Sequence, residues 1–189
     1  MNNIDRFKSL DWCNSYIQYV EFRSMGLKKE AHTALAQFLV DFNQQHSKSR
    51  REFIVIVNET VFAYNEYNTY LPFNLYELIK TEVQEWIKEE PTNPIPLMWT
   101  RNISSLFKSI EIDSQNQAAL NMLGDMIVNK ISLNQHELTA GFKYEGNPKE
   151  DIELIDSFFT YIEKIVNHRK KNDLMYALKH LRQVAAENL

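Results

Sequence analysis

The chain has 189 residues, 44% of them hydrophobic and 24% charged, with a formal net charge of −4 and a single cysteine. A chain of this length buries well over half of the surface it exposes when unfolded, so one domain or two small ones can form without a covalent staple. The lone Cys13 excludes an internal disulfide and any cysteine-pair zinc site, a usage that predicts the reducing environment of the cytoplasm.

Charge is spread evenly. Positions 1 to 90 carry 10 basic against 13 acidic residues and the remainder 11 against 12. Neither half has the basic excess that phosphate neutralisation demands, so no nucleic acid is expected as a partner. The opening "MNNIDRFKSLDW" lacks the apolar run of a secretory signal, and nothing later approaches the roughly 20 apolar residues of a membrane span. A soluble protein without membrane partners is the expectation.

Apolar spacing sets the elements. Phe7, Leu10, Cys13, Ile17 and Val20 share a helical face, as do Leu27, Ala31, Leu35, Phe38 and Phe42 after Gly26, each at steps of three or four. The following "EFIVIVNETVF" is rich in β-branched residues, and Phe53 to Val57 could be a buried strand. Phe53, Val57, Val61 and Tyr64 nevertheless keep helical spacing, and no second strand candidate exists to pair with the run, which predicts a helix. Ser47 or Ser49 would cap it, although Lys48, Arg50 and Arg51 lie where the helix dipole prefers acids.

Beyond Pro72 the stripe Leu75, Ile79, Val83 and Trp86 marks another helix, and its segment from Tyr76 to Glu90 holds five Glu against two Lys. "EEPTNPIP" crowds three of the five prolines, and proline both lacks an amide donor and excludes helix from the residue before it. This predicts a linker over 91–96 between helical halves 1–90 and 97–189, packed together as one body. Periodicity fades between Asn129 and Gly146, where a short helix and a loop are expected. Ile152, Ile155, Phe159, Ile162 and Val166 then mark a helix opened by Asn147 or Asp151, and Leu174, Leu178 and Leu181 a last one from about Asp173. The fold class is all-α, about eight helices in antiparallel hairpins, either a right-handed stack or an irregular bundle.

The stretch "KSIEIDSQNQAALNMLGDMI" has a compact turn, a small residue where helices touch, and large apolar residues at fixed steps on either side. Over Leu106 to Ile127 it resembles the tetratricopeptide repeat, with Ile112 and Asp113 closing one helix and Leu120, Leu123, Gly124 and Ile127 on the next. Ser114 stands where that family usually has proline, and the helix that should follow is replaced by the degenerate region from Ser132 to Phe142. A weaker match lies in "YVEFRSMGLKKEAHTAL", through Gly26 and Ala31, but no fixed period joins the two copies. "GNPKEDIELID" also resembles segments of small bacterial helical proteins.

The resemblance implies a groove lined by the first helix of each hairpin. By position, Asn121 and Asp125 would face it in the clear copy and Tyr16 and Arg23 in the weak one, contacting a peptide or protein. Independently, "FAYNEYNTYLPF" sets Tyr64, Tyr67 and Tyr70 among polar residues, and tyrosines are enriched at interface hot spots. The cluster predicts a contact surface. Trp99 and Arg101 invite the same thought, although a tryptophan there is more often core.

Chemistry is sparsely signalled. The histidines are His32, His46, His136, His168 and His180, and none forms the close helical pair that puts two imidazoles on one metal. His136 beside Glu137 suggests a carboxylate-oriented imidazole, but adjacent helical residues point about 100° apart. Cys13 lies on an apolar stripe with no local base and is expected in the core. Paired acids such as Glu89 with Glu90 and Glu150 with Asp151 are assigned to helix ends, and "HRKKND" to a helix C-terminus, where cations are favourable. No glycine-rich phosphate loop or nucleophile elbow is present.

The expected function is a non-catalytic protein- or peptide-binding module in a bacterial cytoplasm, with no cofactor and no metal. Two alternatives stand beside it. One is an acidic inhibitor or immunity-type protein that neutralises a basic toxin or nuclease through the glutamate-rich helix. The other is an enzyme whose site is assembled from distant helices.

Overall fold

A computed structural model describes residues 3–64 and 70–189. The chain is all-α: no strand occurs among the described residues, and no helix there is long and apolar enough to cross a membrane. Nine α-helices are described: α1 Asn14–Ser24, α2 Lys28–Gln44, α3 Ser47–Tyr64, α4 Phe73–Glu89, α5 Pro94–Trp99, α6 Ile103–Ile112, α7 Gln117–Gln135, α8 Pro148–Ile162 and α9 His168–Ala186. Two 3-10 segments, Asn3–Ser9 and Leu138–Ala140, complete them. The chain divides into two compact units between Glu89 and Glu90.

In the first unit the leading stripe is shared by two elements. Phe7 belongs to the 3-10 segment, and Cys13, Ile17 and Val20 to the start and body of α1, all buried. Gly26, at φ 76°, occupies the left-handed region that reverses the chain into α2. The hairpin is antiparallel, since Ser15 near the start of α1 donates to Asp41 near the end of α2 at 2.5 Å. The core between them is aromatic. Tyr16 lies 4.8 Å from Phe7, 5.0 Å from Phe38 and 4.9 Å from Phe53 between ring centroids, the last pair at 89°, an edge-to-face arrangement that suits the ring quadrupoles.

The β-branched run is helix α3, with Phe53, Val57 and Val61 fully buried. The cations at its start are neutralised sideways by the end of the antiparallel α4. Arg50 donates to Glu82 at 2.8 Å and to the Gln45 carbonyl at 2.9 Å, while Arg51 pairs with Glu89 and stacks 5.3 Å above the Trp86 ring. Opposite charge from a neighbouring helix thus offsets an unfavourable placement in the helix dipole.

The second unit opens inside the proline-rich stretch. Pro94 and Pro96 do not form a linker but the first turn of α5, where the missing amides have no intrahelical partner to lose. Asn93 caps it by accepting from the Ile95 amide at 3.0 Å. Ser109 of α6 donates to the Pro94 carbonyl at 2.9 Å, tying α6 back onto α5. A compact turn follows α6, with Asp113 accepting from the Gln115 amide and Asn116 capping α7 at the Ala119 amide, both at 3.1 Å.

From there the unit is a bundle of α7, α8 and α9. Asn134 at the end of α7 meets Asp151 at the start of α8, so those two are antiparallel. Arg182 meets Asp156 and Lys171 meets Glu163, so α8 and α9 are antiparallel as well. Gly124 marks the close approach of α7 to both: a Cβ there would stand 2.7 Å from Leu174 and 3.1 Å from Phe158.

Three boundaries differ from the sequence expectation. Helix α7 continues through Gln135, well past Asn129, where the periodicity fades. The buried face of α8 runs through Asp151, Ile155, Phe158 and Ile162, leaving Phe159 half-buried and Val166 exposed beyond the helix end. "HRKKND" is the beginning of α9 and not a helix C-terminus, because Asn167 accepts from the Lys170 amide at 3.1 Å and caps the helix well before the expected start near Asp173. Lys170 and Lys171 there are offset by Asp125 and Glu163.

Candidate functional site

In the first unit a groove with polar walls runs between α1 and α2. Ser15, Gln18 and Phe22 recur at helical spacing on α1, and Lys29, Glu30, Thr33, Ala34 and Gln37 do so on α2, enclosing about 490 Å³ open to solvent. Small Ser15 and Ala34, both buried, let the two backbones approach and make the floor. Half-buried Phe22 gives an apolar wall. Gln37 is held by Asp41 at 2.8 Å, and the Thr33 hydroxyl donates to its own helix at the Lys29 carbonyl. Gln18, Lys29 and Glu30 engage no side-chain partner among the described residues. The groove therefore offers a carboxamide, an ammonium and a carboxylate around an aromatic ring, a set that reads peptide backbone and charged side chains.

The residues expected from the tetratricopeptide resemblance are placed otherwise. Tyr16 does not face a groove: it is fully buried, and its hydroxyl donates to the Tyr70 carbonyl at 2.5 Å. Burial, reinforced by nearby Tyr19, Tyr70 and Cys13, holds that hydroxyl well above the ordinary tyrosine range. Arg23 is exposed and borders a separate, smaller cleft of about 120 Å³ with Tyr19, His32 and Pro72. Tyr70 is likewise buried, at 6% exposure, and its backbone is the acceptor for Tyr16. Tyr67 and the side chain of Tyr64 lie outside the described residues.

In the second unit Asn121 and Asp125 share a stripe of α7 with Gln117. That stripe meets the chain's own α8–α9 connection. Gln117 donates to the Lys164 carbonyl at 3.0 Å and accepts from the Val166 amide at 2.8 Å, and Asp125 takes the Lys170 ammonium at 2.5 Å. Asn121 between them is half-buried.

Of the residues weighed for chemistry, Cys13 is buried, and desolvation with the carboxylates of Asp41 and Glu52 pushes its thiol up to about 12. It is a core group and a poor nucleophile. All five histidines are exposed. His136 and Glu137 do meet, at 3.1 Å, at the end of α7, where His136 is the capping residue. Among the described residues no three His, Cys, Asp or Glu side chains are grouped to hold a metal ion.

The glutamate-rich helix α4 is not a free acidic face. Glu82, 8% exposed, is committed to Arg50 and Arg51, Glu89 to Arg51, Glu77 to Lys80 and Glu85 to Lys88. Reversing Glu82 would break a buried ion-pair network, so it would probe folding and not binding.

Sequence reasoning missed the α1–α2 groove, although the signal was present. Ser15, Gln18 and Phe22, with Glu30, Thr33 and Gln37, repeat at helical spacing immediately beside the two buried stripes. No protein-family model matches the chain, and neither does a curated protein or a solved structure.

Proposed function

We propose that this chain is a non-catalytic protein- or peptide-binding module of the bacterial cytoplasm, built from tetratricopeptide-like helical hairpins, that engages its partner in the α1–α2 groove. The observation that carries the reading is the groove itself: about 490 Å³, open to solvent, with Gln18, Lys29 and Glu30 unengaged around Phe22. An extended segment laid there would have its backbone amides within the chemistry of Gln18 and Gln37. One apolar side chain would pack on Phe22, and charges of either sign would meet Lys29 and Glu30. The unengaged polar side chains on the exposed walls favour a peptide over a small apolar ligand, which would leave those groups unpaired.

The test is selection of a random displayed heptapeptide library on the immobilised protein, followed by calorimetry of the enriched sequence. Phe22→Ala and Gln18→Ala should each weaken binding by about 1–2 kcal/mol, roughly five- to thirty-fold. An enriched peptide indifferent to both substitutions would remove the groove from the proposal. A library that enriches nothing would remove the module.

A further inference from the structure

A second surface, in the other unit and independent of the α1–α2 groove, has a different chemistry. Helix α6 contributes Phe107 and Glu111, one turn apart, and α8 contributes Ser157, Thr160 and Tyr161, lining an open cleft of about 380 Å³. The Phe107 and Tyr161 rings stand 6.2 Å apart at 58°, both half-buried. Such rings present electron-rich faces.

The polar groups of this cleft are acceptors. Ser157 spends its hydroxyl hydrogen on the Glu153 carbonyl at 2.7 Å and Thr160 on the Ser157 carbonyl at 2.8 Å, so each oxygen keeps only lone pairs to offer. The exposed Glu111 carboxylate has no ion pair or hydrogen bond among the described residues. Meanwhile the Lys164 ammonium of this same chain sits 5.2 Å from the Tyr161 ring centre, so that ring already takes a cation on one side.

Two aromatic faces, an unpaired carboxylate and spent hydroxyls complement a cation with several donors. A planar guanidinium fits better than an ammonium, because it stacks on a ring while its edge reaches a carboxylate and is more weakly hydrated. We propose that the α6–α8 cleft receives an arginine side chain of a partner protein. The guanidinium lies against Phe107 and Tyr161 with its N–H edge toward Glu111, and the Ser157 and Thr160 oxygens accept its remaining hydrogens. The mild acidity of the whole chain favours approach of such a basic partner.

The test is an NMR titration of the full chain with the capped pentapeptide Ala-Ala-Arg-Ala-Ala, and with the same peptide carrying citrulline, the neutral isostere of arginine. The arginine peptide should shift the amides of Phe107, Glu111, Ser157 and Tyr161 in a saturable way, with the citrulline peptide at least about three-fold weaker. Glu111→Gln should weaken the arginine peptide by about two- to five-fold and leave the citrulline peptide unchanged. Lys164→Ala should strengthen it by removing the competing cation. These positions are exposed or half-buried, so the variants remain folded, which the unshifted part of the spectrum verifies. Equal shifts from the two peptides, shifts confined to other residues, or no saturable shift would each overturn the proposal.

Discussion

Gly124→Ala should destabilise the second unit even though alanine is the better helix former. In a solvent-facing helix the exchange would gain about 1 kcal/mol. Here the new Cβ would stand 2.7 and 3.1 Å from the two Leu174 methyls and 3.1 Å from Phe158 Cζ, against an optimum of about 3.5–4.0 Å between carbons. One Leu174 methyl must therefore retreat by nearly an ångström. Leu174 is 4% exposed and Phe158 fully buried, so neither can swing into solvent. Overpacking of this kind costs about 1–3 kcal/mol, which leaves a net loss of up to about 2 kcal/mol after the gain in propensity. Gly124→Val, with two further methyls, should lose about 3 kcal/mol or more.

Because the chain has two units, the loss is best read by native-state hydrogen exchange at the α7 amides, with a urea melt alongside. Leu174→Ala alone should cost about 2–5 kcal/mol. In the Gly124→Ala background it should cost at least about 1 kcal/mol less, since the clashing methyls are gone. A more stable Gly124→Ala variant, additive with Leu174→Ala, would refute the close approach of α7 and α9.

Other outcomes follow from the same contacts. Tyr16→Phe should cost about 1–2 kcal/mol by leaving the buried Tyr70 carbonyl without its donor, seen in a urea melt, whereas a groove-facing tyrosine would lose nothing. Asp151→Asn should cost about 1–3 kcal/mol and raise proteolysis of the 136–147 segment, because the buried carboxylate accepts from Asn134 at 2.7 Å and Tyr144 at 2.8 Å. Arg182 hydrogen-bonds Asp156 and holds its carboxyl below the usual range. That stabilisation is complete above the unfolded value near pH ~4 and is lost as pH falls through the folded one. The small deficit of Asp156→Asn at about pH 7 should therefore shrink progressively as pH falls below about 4 in paired thermal melts. Cys13 should resist a thiol reagent in the native state and react fully in denaturant, since burial pushes its thiol up to about 12.

What the sequence made legible is what local spacing controls. Leu75, Ile79, Val83 and Trp86 are all buried, and so are Leu120, Leu123 and Ile127, because a stripe at steps of three and four has only one way to leave water. The run at Phe53 resolves as helix for the same reason: its period outweighs its β-branched composition. What spacing does not control is which neighbour answers a charge or a hydroxyl. Arg50 and Arg51 look misplaced until Glu82 and Glu89 come alongside, and the Tyr16 hydroxyl finds a carbonyl 54 positions away. The cleft residues Phe107 and Tyr161 carry no mutual signal at all in a linear reading, being far apart on separate helices.

The fate of the repeat-like junction has the same origin. Its turn and apolar steps specify a hairpin, and α6 and α7 form one, but the close approach at Gly124 is to Leu174 and Phe158 of α9 and α8 and not to α6. Whether such a hairpin presents a binding face depends on what comes next in the chain. A second turn near Ser132 would give α7 a partner helix of the repeat type and leave Gln117, Asn121 and Asp125 facing outward. Nothing between Asn129 and Gln135 breaks the helix, so α7 runs on for 19 residues, roughly 28 Å. The next long helix, α8, then returns along it, and α9 runs beside it in the direction of α7. Their connection lays the Lys164 carbonyl and Val166 amide on Gln117, and Lys170 on Asp125. Two of the three residues of the stripe that would hold a peptide in the repeat are thereby engaged by this chain itself, Gln117 by backbone and Asp125 by Lys170. Substituting Gln117 should accordingly loosen the α8–α9 turn, read as faster exchange of the Val166 amide, before it alters the affinity of any peptide.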